Sequence, residues 1–396
     1  MEPKLRFPEF NSNWTHDNLE NVAEIFDGTH QTPLYTKTGV QFVSVENIED
    51  IYKSEKYISH EEYDKYKNKP QINDILMTRI TAGVIGETAM VTKDVPLAYY
   101  VSLALIRCEK LFPSYVEKYI HSIQFRKELY KRIIHTAFPK KINLGDIGKC
   151  LVGITNEQEQ QKIAEFLSTI DTVIEKQKET VSAWEERKKG VIQKLFSQEV
   201  RFKADDGSEF PEWEKKRIGD VCEQTKETID PMDKPKNLFV EYSMPAYDNE
   251  MKPDIAYGNT MNSIRKVIRR PCVLINKLNV RKRRIWNVTN PENNAVCSAE
   301  FVPLTSDVMN LTFVTYFALT DWFTKYLLDC STGSSNSQKR VTPDVILNVK
   351  MPVPCLVEQQ KIADCLSSLD EVIEKQKAAL AAWEELKKGL LQQMFV

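Results

Sequence analysis

The chain lacks the marks of several protein classes. No apolar run in its 396 residues approaches the roughly 18 needed to span a bilayer, and the opening MEPKLRFPEF has no long apolar signal region. A cytoplasmic location without membrane contact is therefore expected. The eight cysteines (Cys108, Cys150, Cys222, Cys272, Cys297, Cys330, Cys355 and Cys365) form no CxxC pair and do not cluster with the five histidines. Reduced, mostly buried thiols and no metal site are expected from that scatter. A GxxxxGK[ST] phosphate loop is missing, and no acid, base and nucleophile set stands out. Glu175, Glu185 and Glu186 sit among lysines, as outward i to i+4 pairs on a helix do. These absences argue against an enzyme.

A large net charge is missing too: the formal sum is -2. That sum hides an asymmetry. Lys plus Arg against Asp plus Glu is 3 to 9 in residues 1–50 but 7 to 1 in 118–141, then 9 to 14 in 201–260 and 9 to 0 in 261–290. Each half begins acidic and carries a basic strip later, which suits one face for an anionic partner and others for protein. A composition 42% hydrophobic and 28% charged belongs to a globular protein long enough for two domains or more.

What the chain does have is a duplication. EQQKIAEFLSTIDTVIEKQKETVSAWEERKKG begins at Glu159 and EQQKIADCLSSLDEVIEKQKAALAAWEELKKG at Glu358; carried to Phe196 and Phe395, the two share 24 of 38 positions at a constant offset of 199. The same offset relates Trp14 to Trp213, preceded by FPEF and FPE respectively. Between these anchors identity is low, but ILMTRIT (75–81) corresponds to VLINKLN (273–279) and FPKKIN (138–143) to SQKRVT (337–342). A period this long indicates duplicated domains rather than a solenoid. Short apolar runs such as VQFVSV and CVLINKLNV read as strands, while 114–134 and 314–329 read as helices, giving mixed α/β (α+β) domains. The division expected is a globular domain over 1–156, a helix over 157–198, a second domain over 199–355 and a second helix over 356–396.

Both helices carry an apolar seam at alternating spacings of four and three, from Ile163, Leu167, Ile170 and Ile174 to Leu195, and from Ile362, Leu366, Leu369 and Ile373 to Met394. Two matched seams in one chain favour pairing with each other. Side by side in parallel, Trp184 would meet Trp383 and Lys188 would meet Lys387, an oversized layer next to a buried like-charge layer. Run antiparallel, Trp184 faces Ile373, Trp383 faces Ile174, Lys188 faces Leu369 and Lys387 faces Ile170, with the amines free to reach water. At 1.5 Å per residue such a rod is roughly 57 Å long and holds two globular readers apart like a ruler, in a pseudo-twofold arrangement.

Two variable domains, each followed by a near-identical EQQKIA helix ending in WExxKKG, closely resemble the specificity subunit of type I restriction-modification systems. The resemblance covers the whole chain and also includes DGTHQTP (27–33), LMTRITAGVIG (76–86) and TGSSNSQKRV (332–341). It implies a non-catalytic subunit in which each variable domain is a target recognition domain for one half of a bipartite, asymmetric site in double-stranded DNA. It further implies that the repeated helices set the gap and dock two modification subunits, which methylate adenine at N6, with restriction and motor subunits joining them. S-adenosylmethionine, ATP and Mg belong, on this reading, to the partners, and this chain binds no cofactor. In agreement, no Asn-Pro-Pro-aromatic methyltransferase motif is found; the nearest, Asn290-Pro291, continues with Glu292.

Base readout needs paired donors and acceptors, and phosphate contacts need cations, hydroxyls and amides. In the first domain those requirements select Thr29, His30 and Gln31 after Gly28, then Arg79 and Thr81 at a strand end, then Lys140, Lys141 and Asn143 after Pro139. In the second they select Lys277, Asn279, Arg281, Lys282, Arg283 and Arg284, the densest cationic run in the chain, and the loop holding Ser334, Ser335, Gln338, Lys339 and Arg340. Tyr247 is read either as a stacking contact or as a core aromatic. Satisfied turns and solvated charges remain the alternative for the single residues. For the whole chain the alternatives are a specificity module of a differently organised restriction enzyme, or a coiled-coil scaffold that binds only protein.

Overall fold

A computed structural model describes residues 2–333 and 335–395. Its principal helices are α1 (Pro113–Ile120), α2 (Ile123–Arg132), α3 (Glu157–Phe196), α4 (Leu311–Ala318), α5 (Asp321–Asp329) and α6 (Leu356–Gln393). Two compact units divide the chain, one of Met1–Glu179 with Ala378–Val396 and the other of Thr180–Lys377. Each unit therefore holds one half of α3 and one half of α6.

In the first unit a four-stranded antiparallel sheet orders Ala23–Asp27, Leu103–Cys108, Ile75–Thr78 and Thr88–Met90. A three-stranded sheet of Tyr57–Ile58, Val40–Val43 and Leu97–Tyr99 stands with it. In the second unit the four-stranded sheet is Glu223–Gln224, Phe301–Thr305, Cys272–Asn276 and Ile285–Val288, beside a five-stranded one. The central strands Ile75–Thr78 and Cys272–Asn276 are buried along their whole length, which explains why they read as continuous apolar runs without alternation. A two-stranded ladder closes each globular part, Thr15–Asn18 on Leu151–Ile154 and Glu214–Arg217 on Lys350–Val353. The mixed α/β class expected from the sequence is what both units show.

The stretches read as single helices at 114–134 and 314–329 are each two. Ser122 and Thr320 turn the chain and cap the second helix, accepting from the N–H of Phe125 and Phe323 at 3.2 Å in both cases. The eight cysteines are all free, four of them buried, and burial pushes the Cys150 thiol up to about 12.

The long helices pack antiparallel within each unit. In the first, Ile163, Leu167, Ile170 and Ile174 share a core with Leu390, Leu391, Met394 and Phe395, and Trp383 lies against it. In the second, Leu195, Val191 and Phe196 meet Ile362, Leu366 and Leu369. Lysine amines end on acids one position along from the apolar residues expected to face them: Lys387 reaches Asp171 at 2.6 Å, and Lys188 pairs with Asp370. Lys178 with Glu384 and Lys377 with Glu185 repeat the same symmetry at 3.8 and 2.9 Å.

Asp171 and Asp370 also tie the helices to the globular parts. Asp171 takes the Lys118 ammonium of α1 at 2.6 Å, and Asp370 accepts the Tyr316 hydroxyl of α4 at 2.7 Å. Lys118 reaches Glu117 as well, at 2.7 Å. Burial alone pushes the Glu117 carboxyl up, but a hydrogen bond with His121 and the Lys118 charge outweigh it and bring it down to about 2.

The EQQKIA repeat is a joint between helix and domain. Glu159 is fully buried and accepts from Arg6 Nε and Nη2 at 2.7 and 2.8 Å; Glu358, equally buried, accepts from Arg201 at 3.1 and 2.9 Å and from the Trp213 indole at 2.8 Å. Gln160 accepts from the Phe112 N–H at 2.9 Å and donates to the Thr155 carbonyl at 2.6 Å, while Gln359 does the same with Asn310 and Pro354, at 2.9 Å each. Lys162 and Lys361 pair with Glu9 and Asp205 and lie over the rings of Phe7 and Phe210. Ile163, Ala164, Ile362 and Ala363 enter the cores.

Two outcomes follow. Glu358→Gln removes a buried partner of Arg201 and is expected to lower stability by about 3 kcal/mol, whereas the paired change Glu358→Leu with Arg201→Met recovers most of the loss in a double-mutant cycle. A Glu117 carboxylate held below its unfolded value of about 4.5 adds stability that is complete above that value and is lost as pH falls towards about 2. Glu117→Gln should therefore flatten the acid limb of the unfolding free energy against pH, measured by denaturant titration, by an amount on the order of 3 kcal/mol; an unchanged limb would rule this role out.

Candidate nucleic-acid interface

The two motif pairs aligned by the duplication lie side by side in both units. In the first, Lys140 pairs with Thr81 and Lys141 with Ile80 in an antiparallel ladder, and the Ile142 N–H donates to the Arg79 carbonyl at 3.0 Å. In the second, Arg340 bridges Leu278, the Asn279 N–H donates to the Lys339 carbonyl at 2.7 Å, and Val341 donates to the Lys277 carbonyl at 2.9 Å. These bonds are equivalent, position for position. Each unit thus presents a short ladder with two cations on one strand and, on the other, a cation, an apolar residue and a neutral polar one, Arg79-Ile80-Thr81 or Lys277-Leu278-Asn279.

The loop at Thr29 joins the first cluster. Thr29 bridges Tyr100 in parallel, and a Cβ on Gly28 would stand 2.5 Å from the Tyr100 carbonyl, so only glycine allows this approach. Asp27 then links the loop to the ladder, holding His30 Nε2 at 2.8 Å and Arg79 Nη1 at 3.2 Å. Arg79 is 8% exposed, with Nε buried and unpaired, whereas His30 and Gln31 are open to solvent. Asn143 donates to Asp146 at 3.0 Å. Lys140 and Lys141 are exposed, and among the described residues neither forms a salt bridge.

In the second unit the cationic run divides. Arg283 is tied to Asp321 and to the Leu319 carbonyl at 3.1 Å, and Arg284 grips Asp248 with two bonds of 2.8 and 2.6 Å while buried. Lys282 is exposed, 3.9 Å from Asp248, and Arg281 points to solvent. Lys277 and Asn279 are half-buried, Asn279 in the left-handed region at φ 53°. Arg340 meets Glu300 at 3.1 Å; Ser335 and Gln338 are exposed and Lys339 is half-buried. Ser334 lies outside the described residues. Tyr247 packs edge-on to Trp286 at 5.7 Å and donates to the Arg283 carbonyl at 3.1 Å, the core role of the two considered for it.

Two organising residues lie at the ends of fully buried strands and are absent from the residues selected by sequence. Asn276, 2% exposed, donates to the carbonyls of Leu278, Asn279 and Lys282 and accepts from the Arg284 N–H, shaping the whole loop from inside. At the corresponding place Thr78 donates to the Val84 carbonyl at 2.8 Å and accepts from the Glu87 N–H at 3.0 Å. Their signal was a polar residue closing a fully apolar strand. The second unit also holds a groove of about 860 Å3, floored by Phe196, Phe317 and Trp322 and rimmed by exposed Lys189, Lys215 and Lys350.

The family model for the type I restriction modification DNA specificity domain matches twice, over residues 11–182 and 211–381. The MjaVIII type I restriction enzyme specificity subunit of Methanocaldococcus jannaschii is 23% identical over 59% of this chain, and the match spans 58% of that protein. The putative MjaX specificity subunit of the same organism is 23% identical over 98% of the chain and 94% of its own length. Among solved structures, the type I restriction-modification S subunit of M. genitalium superposes with a TM-score of 0.58 at 15% identity, covering 100% of this chain and 99% of its own. A chain from a study of type I R-M complex assembly and conformational transition gives 0.58 at 16%, covering 97% of each. No described helix is long and apolar enough to cross a membrane. With the family model repeated over both halves, the chain belongs to the type I restriction-modification DNA specificity family, as a specificity subunit.

Proposed function

We propose that each unit reads one half of a bipartite, asymmetric site in double-stranded DNA, and that the chain does so as the non-catalytic member of a methyltransferase and restriction complex. The observation that carries this reading is the ladder repeated in both units with different side chains. Lys140, Lys141, Arg281 and Lys282 are the exposed cations suited to phosphates. His30, Gln31, Thr81, Asn279, Ser335 and Gln338 offer the donors and acceptors that base edges require. Arg79, Arg283, Arg284 and Arg340, each held by an acid, position the loops around them. Because the polar sets differ between units, the two half-sites differ in sequence.

The repeated helices act as the ruler between half-sites and as the platform for two modification subunits that carry S-adenosylmethionine, with ATP and Mg used by motor and restriction subunits. The groove of Phe196, Phe317 and Trp322 supports a protein partner on the second unit, since an apolar floor inside a rim of both charge signs suits an apolar side chain with polar flanks.

Single-molecule methylome sequencing of cells with and without this gene should show N6-methyladenine at one split motif disappearing on deletion; an unaltered methylome would sink the assignment. In the reconstituted complex, Lys140→Gln with Lys141→Gln should reduce the slope of log affinity against log salt by about 1 to 2 and weaken binding across sequences alike. Arg281→Gln with Lys282→Gln should act in the same way. An unchanged slope in both pairs removes these four lysines and arginines from the interface.

A further inference from the structure

The loop between α2 and Lys140 ends in a side chain that no contact described above employs. Phe138 is 91% exposed, more than any other large apolar side chain among the described residues. Single exposed apolar groups are ordinary, so its placement matters more than its exposure. The loop is closed at its base by the Ile134 N–H donating to the Lys141 carbonyl at 2.8 Å, and it is anchored by Ile142, fully buried. Phe138 sits at the free end, two residues beyond the last ladder pair and on the side of the Ala82–Val84 turn, where Val84 is also exposed. Pro139 limits the backbone next to it. Lys140 and Lys141 follow at once, both exposed. An aromatic ring projecting from a pinned loop, with two cations directly behind it, has the make-up of a side chain that enters a base stack while its neighbours hold phosphates.

The second unit lacks this ring. Its ladder is bonded in the same way, but the residue aligned with Phe138 is Ser337. A polar hydroxyl at the tip cannot replace stacked bases.

We propose that Phe138 is a wedge: on DNA binding it inserts between two base pairs of the half-site read by the first unit and unstacks them, with Lys140 and Lys141 on the flanking phosphates. This rests on the DNA-reading function proposed above. The wedge makes one half-site sensitive to how easily a step opens, so pyrimidine–purine steps are favoured there without a base-edge hydrogen bond. The half-site of the second unit stays stacked.

The test uses the complex reconstituted with its methyltransferase partners and duplexes bearing the methylome-defined site, with 2-aminopurine placed in turn at positions other than the methylated adenine. Wild type should raise fluorescence at one step of the first unit's half-site and at none in the other. Phe138→Ala should abolish that rise and weaken binding about tenfold with an unchanged melting temperature, while Phe138→Trp keeps both signals. A wild-type rise that survives in Phe138→Ala, with affinity unchanged, overturns the wedge and leaves DNA reading intact. Loss of the methyltransferase subunits from Phe138→Ala, with the fluorescence rise retained, makes the ring a protein contact and overturns the wedge as well. A wild-type complex that binds no duplex ends both readings.

Discussion

Glu159 and Glu358 are carboxylates shut away from water, and everything else is arranged around them. A buried acid is tolerated only with a partner of opposite charge and full hydrogen bonding. Arg6 and Arg201 supply that partner from segments more than 150 residues upstream. Each pair draws the start of its globular part onto the first turn of the helix that leaves it. The adjoining glutamine then binds the entry to α1 or α4. Between them these bonds fix the direction in which α3 and α6 depart, and hence which faces carry the seam. Asp171 and Asp370 repeat the arrangement further along, each taking one bond from the globular part and one from the antiparallel helix segment.

Much of this was legible before any coordinates. The offset of 199 identified the repeat, and residue size with charge was enough to orient the helices, because a tryptophan or a lysine cannot share a buried layer with its own copy. The structure places the lysine amines one residue from the expected apolar neighbours, on aspartates. The heads find acids where open water was expected. The aligned motifs 75–81 with 138–143, and 273–279 with 337–342, also turned out to be physical neighbours in both units.

The cationic run shows where sequence reading stops. Counting charges makes Arg281 to Arg284 equivalent, yet Arg283 and Arg284 are held by Asp321 and Asp248, which lie 38 and 36 residues away in sequence. No local pattern records such distant pairing. Asn276 and Thr78 escaped for a different reason: they are buried at the ends of apolar strands and shape the loops with hydrogen bonds from inside the sheet, whereas a sequence read for groups that reach DNA favours exposed loop residues. Helix breaks at Ser122 and Thr320 were missed because both caps sit within unbroken apolar periodicity.

One feature of the first unit bears on how the protein is made. Leu390, Leu391, Met394 and Phe395 belong to the core of this unit, Phe395 lies 5.1 Å from the Tyr119 ring, and the Leu5 N–H donates to the Gln393 carbonyl at 2.9 Å. The part of this unit up to Glu179 thus waits for a segment made only after Lys377. Until those arrive, the amino-terminal half holds an open apolar slot, and the second unit, continuous in sequence, is free to close first. Ribosomes that stop short of residue 378 release a chain in which the second unit can close and the first cannot.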